Sequence, residues 1–99
     1  MATKKFKSLQ ELLSDRKRWC QGDLALSKSG KPIEVKSPHA VSWCLIGGIE
    51  KVYGISNMIM IQEKLYEVIG DNNYGLVTYN DRSNCTIADI RKLVKKASV

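Results

Sequence analysis

Three cysteines and one histidine carry the most reactive side chains of this sequence, and the positions of Cys20, Cys44, Cys85 and His39 limit the chemistry they could do. Together they could supply a tetrahedral Cys3His zinc site, because zinc accepts any mixture of thiolate and imidazole. None of the cysteines forms a CxxC pair, and that spacing argues for inert core thiols rather than a metal cage. A cysteine nucleophile would need a base, and the single histidine, His39, lies five residues before Cys44. If both sit on one helix, an advance of about 100° per residue leaves them roughly 140° apart around the axis, poorly placed to exchange a proton. There is no nucleophile-elbow, zinc-protease, phosphate-loop or paired-carboxylate pattern, so catalysis is not expected and no metal or cofactor is assigned.

Two further sets could bind rather than react. Trp19, Trp43, Tyr79, Asn80 and Asp81 combine two indoles and a phenol with an amide and a carboxylate, groups that can line a ligand pocket. Their structural use competes with this: tryptophans anchor small cores, and Asn-Asp serves turns and caps. Arg16, Lys17 and Arg18, with Arg91, Lys92, Lys95 and Lys96, could contact phosphates with salt-sensitive affinity. Basic residues also suit helix C-termini, and no helix-turn-helix spacing, RNP motif or aromatic ladder accompanies them.

The elements that must position these residues follow from length and pattern. A chain of 99 residues is one ordinary domain, and its 43% hydrophobic and 26% charged content lies far from the signature of disorder. The net charge of +6 could attract nucleic acid, acidic proteins or an anionic membrane surface, but decides among none of them. The longest apolar stretch, Val41 to Ile49, is far shorter than the roughly 20 residues of a membrane span. The basic start lacks the apolar run of a secretory signal, so a cytoplasmic protein with no membrane partner is expected.

Residues 1–7 read as a basic flexible tail and 8–99 as a single globular domain. Ser8 with Glu11 forms a capping-box pattern, opening a first helix that Gly22 would close. Leu24, Leu26, Ile33 and Val35 flank a turn at Ser29-Gly30, as in a short hairpin. Ser37-Pro38 predicts a second helix to about Tyr53. Gly47 and Gly48 inside it each cost up to about 1 kcal/mol relative to alanine, which close approach of a backbone or ring would offset. A third helix runs from a cap at Ser56 to Gly70, Asp71 to Gly75 form a turn, and Leu76 to Tyr79 an extended segment. Asn80 to Asn84 then form a loop. Thr86 and Asp89 cap a last helix with a stripe of Ile87, Ile90, Val94 and Ala97, while Arg91, Lys92, Lys95 and Lys96 face water or a partner.

The strings Arg18-Trp19-Cys20-Gln21-Gly22, Ser37-Pro38-His39-Ala40-Val41-Ser42-Trp43-Cys44-Leu45-Ile46-Gly47 and Tyr79-Asn80-Asp81, with Thr86 opening the last helix, span nearly the whole chain. In them the sequence resembles a family of small uncharacterised bacterial and phage proteins. That family reads Trp-Cys-Gln-Gly, then Ser-Pro-x-Ala-Val-x-Trp-Cys-x-x-Gly, then Trp-Asn-Asp. Tyr79 replaces its third tryptophan, and Arg82 to Cys85 depart from its small and basic residues. The resemblance implies the fold boundaries and no activity; its phage members imply a role in phage–host conflict.

The expected architecture is mainly α: about four helices around a central Gly-Gly helix that packs on the first and last, with a small β-hairpin or short strands, and α+β left open. The expected function is non-enzymatic binding of a protein or small ligand near Trp43, Tyr79 and Asp81. A nucleic-acid-binding or regulatory module using the basic helix faces is the alternative.

Overall fold

The computed structural model describes residues 5–70 and 75–99, so the turn expected over Asp71 to Gly75 lies, but for Gly75, outside the described residues. Helix α1 is short, Leu9–Leu12, with Ser8 Oγ accepting the Glu11 N–H at 3.1 Å. The expected continuation to Gly22 does not form, because Ser14 and Asp15 offer the backbone alternatives to the helix. Ser14 Oγ donates to the Glu11 carbonyl at 2.7 Å, and Asp15 caps a 3-10 turn over Arg16–Arg18. Two arginines also bind the carbonyls at this end. Arg18 donates to Leu12 O and Glu11 O at 2.7 and 3.0 Å, and Arg91 reaches from the far end of the chain to Leu13 O and Ser14 O. The packed core reaches back to Phe6, whose ring meets Trp43 edge-on at 6.0 Å.

Strand β1, Ala25–Ser27, pairs antiparallel with β2, Ala40–Trp43, in the register Ala25 to Trp43 and Leu26 to Ser42, with a bulge before Ser27. The turn near Gly30 forms as expected, and Leu26 bridges Pro32, but the strand partner of β1 is β2 rather than residues 33–35. Here the sequence expectation of a helix from Ser37 is corrected. Ser37 Oγ accepts the His39 N–H in a local turn, residues 40–43 are extended, and the helix begins seven residues later than Pro38. Trp43 therefore stands on a strand. His39 is exposed in the turn before it, so the expected shared helix with Cys44 does not exist.

Helix α2, Leu45–Tyr53, is capped by Cys44, whose Sγ accepts the Gly47 N–H at 3.3 Å. Its glycines are pressed as the sequence demanded. A Cβ at Gly47 would lie 2.0 Å from the Leu24 carbonyl oxygen, and one at Gly48 would lie 3.0 Å from Leu9 Cδ2. Helix α3, Met58–Ile69, follows a 3-10 turn at Ile55–Asn57 and stops at Gly70 in the left-handed region, φ 79°; Asn57, not Ser56, precedes it, without a side-chain cap bond.

Leu76–Asp81 is helix α4, not the expected extended segment and loop. Leu76 and Asn80 are four residues apart and both fully buried, whereas Val77 and Thr78 point outward, so one-sided burial overrides their β preference. Helix α5, Ile87–Ala97, carries the expected capping box, with Thr86 and Asp89 exchanging bonds of 3.3 and 3.0 Å. Its buried stripe is Ile90, Leu93 and Val94, with Ile87 and Ala97 half-buried.

The chain is thus mainly helical with a two-stranded antiparallel sheet. Helix α2 packs against α1, α3 and α4, while the last helix packs on α1 and α3, not chiefly on α2 as the sequence led us to expect. No helix among the described residues is long and apolar enough to cross a membrane.

Candidate functional site

Asn80 lies at the meeting point of the three sequence strings. Its side chain is fully buried on α4, and each of its polar atoms serves two partners. Oδ1 accepts the Trp19 indole N–H at 2.7 Å and the Leu45 backbone N–H at 3.0 Å. Nδ2 donates to the Cys20 carbonyl at 3.1 Å and to Asp81 Oδ1 at 2.8 Å. That carboxylate oxygen also accepts the Gly22 N–H at 3.1 Å, and Gln21 Nε2 donates to the Asn80 carbonyl at 2.7 Å. An amide side chain is the right group for this position, since it offers two acceptor lone pairs and two donors with no charge to desolvate. The network joins the segment 19–22, the start of α2 and the end of α4.

Trp43 lies apart from that network. It is buried, its indole N–H donates to Val35 O at 2.9 Å, and the Lys51 ammonium sits 5.7 Å from its ring centre. Its backbone carbonyl accepts the Cys20 N–H, which is how the two Trp-Cys segments run side by side. Trp43 and Asn80 are thereby spent on holding the fold. Trp19 and Tyr79 are half-buried and Asp81 is exposed.

These exposed parts open onto different surfaces. Trp19 lines a hollow of about 510 Å³ with Arg16, Cys85, Thr86 and Ile87. Asp81 borders a cleft of about 150 Å³ with Gly22, Leu24, Cys44 and Val77. Tyr79 faces a groove of about 320 Å³ between α3 and α5, lined by Val68, Ile69, Asp89, Lys92, Leu93 and Lys96. Sequence reasoning missed Val68, Ile69 and Leu93 as walls, and Gln21 as a clamp. Only Gln21 had a visible signal, a long polar side chain inside the Trp-Cys-Gln-Gly string.

The seven basic candidates divide in two. Arg18 and Arg91 are committed to carbonyls at the end of α1, and Arg18 also lies 5.0 Å over the Phe6 ring. Arg16, Lys17, Lys92, Lys95 and Lys96 are exposed.

The thiols are poor nucleophiles. Burial pushes Cys20 up to about 11 from 9.0, against a partial offset from the Ser42 hydroxyl. Burial also raises Cys44, opposed by the N–H of Gly47, and raises Cys85, opposed by Arg82. A thiol held protonated lacks the thiolate that attacks or binds metal. Among the described residues, no group of three or more His, Cys, Asp or Glu side chains could hold a metal ion.

The model of DUF6197, a family of unknown function, matches residues 4–98, and the chain belongs to that family. No curated protein and no solved structure matches it.

Proposed function

We propose that this chain is a small non-enzymatic binding domain that engages a partner through the groove between α3 and α5. One observation carries this reading. Tyr79, from the aromatic–polar set, and Lys92 and Lys96, from the basic set, border one open groove with an apolar wall. The raised thiols and the internal commitment of Asn80 favour binding over catalysis. The resemblance supports a bacterial or phage origin, with phage–host conflict as the setting, and we propose that the protein acts in the cytoplasm. The exposed Lys92, Lys95 and Lys96 on one helix favour, as the second reading, a nucleic-acid-binding or regulatory module.

The test is affinity capture with the wild type, a Tyr79→Ala and Lys96→Ala pair, and an Ile59→Ser control on the outer face of α3, where Ile59 is 73% exposed. A component retained by wild type and control but lost by the groove variants, at unchanged melting temperature, supports the reading. Identical captured sets from all three proteins reject it.

A further inference from the structure

The geometry points to one occupant for this groove: a short acidic peptide segment with an apolar anchor, an inference that rests on the binding reading above. Lys92 and Lys96 are one helical turn apart on α5, so their ammonium groups share a rim. Asp89, the carboxylate that the lining shows among the described residues, accepts the Thr86 N–H at 3.0 Å at the positive end of α5, where the helix dipole offsets its charge. The Arg82 guanidinium lies 4.1 Å over the ring of Tyr79, itself part of the lining. Complementarity therefore calls for carboxylates at the rim.

The wall decides between peptide and nucleic acid. Val68 and Ile69, backed by the buried Leu93, offer aliphatic surface, which a leucine or phenylalanine side chain would bury and a phosphate backbone would not. A volume of about 320 Å³ is at the small end of ligand pockets, suited to one anchoring side chain rather than a whole cofactor.

The probes are an acetylated nonapeptide of Glu and Asp with two interspersed Leu, its Gln and Asn analogue, and a short oligothymidylate. Each is titrated into the isotope-labelled chain while amide resonances are followed. We expect the acidic peptide to shift resonances of residues 68–69, 79 and 92–96, with saturation that weakens as salt rises. Binding should fall about tenfold or more in a Lys92→Glu, Lys96→Glu double variant, from two lost charge pairs and two new repulsions. A Lys92→Gln, Lys96→Gln variant, which puts no acid near the helix C-terminus, should show a smaller loss and guards against unfolding. Equal binding of the neutral analogue, stronger shifts of the same amides by oligothymidylate, or no shift with any probe would each overturn the inference. An inert acidic peptide beside a partner lost by the Tyr79 variant leaves the binding reading standing; capture indifferent to the groove variants removes that reading itself.

Discussion

Asn80 is the residue on which the polar interior depends, and its chemistry sets a sharp expectation. Replacing it with alanine leaves the Trp19 indole, the Leu45 N–H and the Cys20 carbonyl without their partner in a site closed to water. Each orphaned group costs about 1–3 kcal/mol, so a loss of roughly 3–5 kcal/mol is expected, a large share of a small domain's stability. Asn80→Asp should be at least as damaging, because its second oxygen would face the Cys20 carbonyl and the Asp81 carboxylate where Nδ2 now donates. Urea midpoints followed by tryptophan emission measure both, and a loss under about 1 kcal/mol for either would show that the network is ornamental. The thiols give a second expectation at this scale. A thiol pKa raised in the folded state means that folding favours the protonated form, so stability is full below pH 9 and falls as pH climbs towards about 11. Tyr53, raised from 10.0 by burial, acts in the same direction, while Lys51, lowered from 10.5 by burial, opposes it. Cys20→Ala should flatten the alkaline decline, and identical slopes in variant and wild type would remove Cys20 from the account. Sequence alone put Asn80 and the buried cysteines among the residues to watch. It could not say that Asn80 faces inward, because Asn-Asp suits an exposed turn equally well.

At the scale of elements, what was legible is what local chemistry dictates. Thr86 and Asp89 close a capping box through neighbours in sequence, and Gly70 ends α3 with a backbone angle that favours glycine, so both boundaries could be read. Ser37-Pro38 and Leu76 to Tyr79 misled because their local preferences lose to partners distant in the chain. Residues 40–43 pair with β1, and Leu76 with Asn80 needs helical spacing to bury both. The glycines of α2 are the intermediate case: their cost signalled a close approach, but not which neighbour makes it. The two positions should now behave differently. Gly47→Ala would place a Cβ 2.0 Å from a backbone oxygen of Leu24, which cannot yield without parting β1's approach segment from α2. A loss above about 3 kcal/mol, or failure to fold, is expected. Gly48→Ala meets only the ends of Leu9 and Leu12 at 3.0 and 3.1 Å, and alanine's better helix propensity returns up to about 1 kcal/mol. It should lie within about 1 kcal/mol of wild type by thermal or urea unfolding. Equal costs at the two positions would contradict the packing of α2.

The charge of the whole molecule could be counted from the sequence, but not its deployment, and that difference decides the nucleic-acid alternative. The groove is assembled from positions 68, 69, 79, 89, 92, 93 and 96, which no linear motif links, whereas the conspicuous Trp-Cys and Asn-Asp strings turned out to hold the fold. Arg91 belongs to that architecture too. Its guanidinium ends α1 by binding Leu13 O and Ser14 O, so Arg91→Met should cost about 1.5–3 kcal/mol of stability. It should leave electrostatic association untouched. Of the four exposed cations of α5, Arg91 is thus bound to carbonyls while Lys92, Lys95 and Lys96 face outward, and nonspecific duplex binding through those three would release about three counterions, giving a log–log salt slope of about −3. Fluorescence anisotropy of labelled duplex DNA against salt measures this. Lys92→Glu should make the slope shallower by about one, while Arg91→Met should leave it unchanged at temperatures where the variant is folded. A slope near −6, or one that Arg91→Met reduces, would mean that the arginines spent here on helix ends also face phosphate, and nucleic-acid binding would then displace the groove as the leading account of this domain.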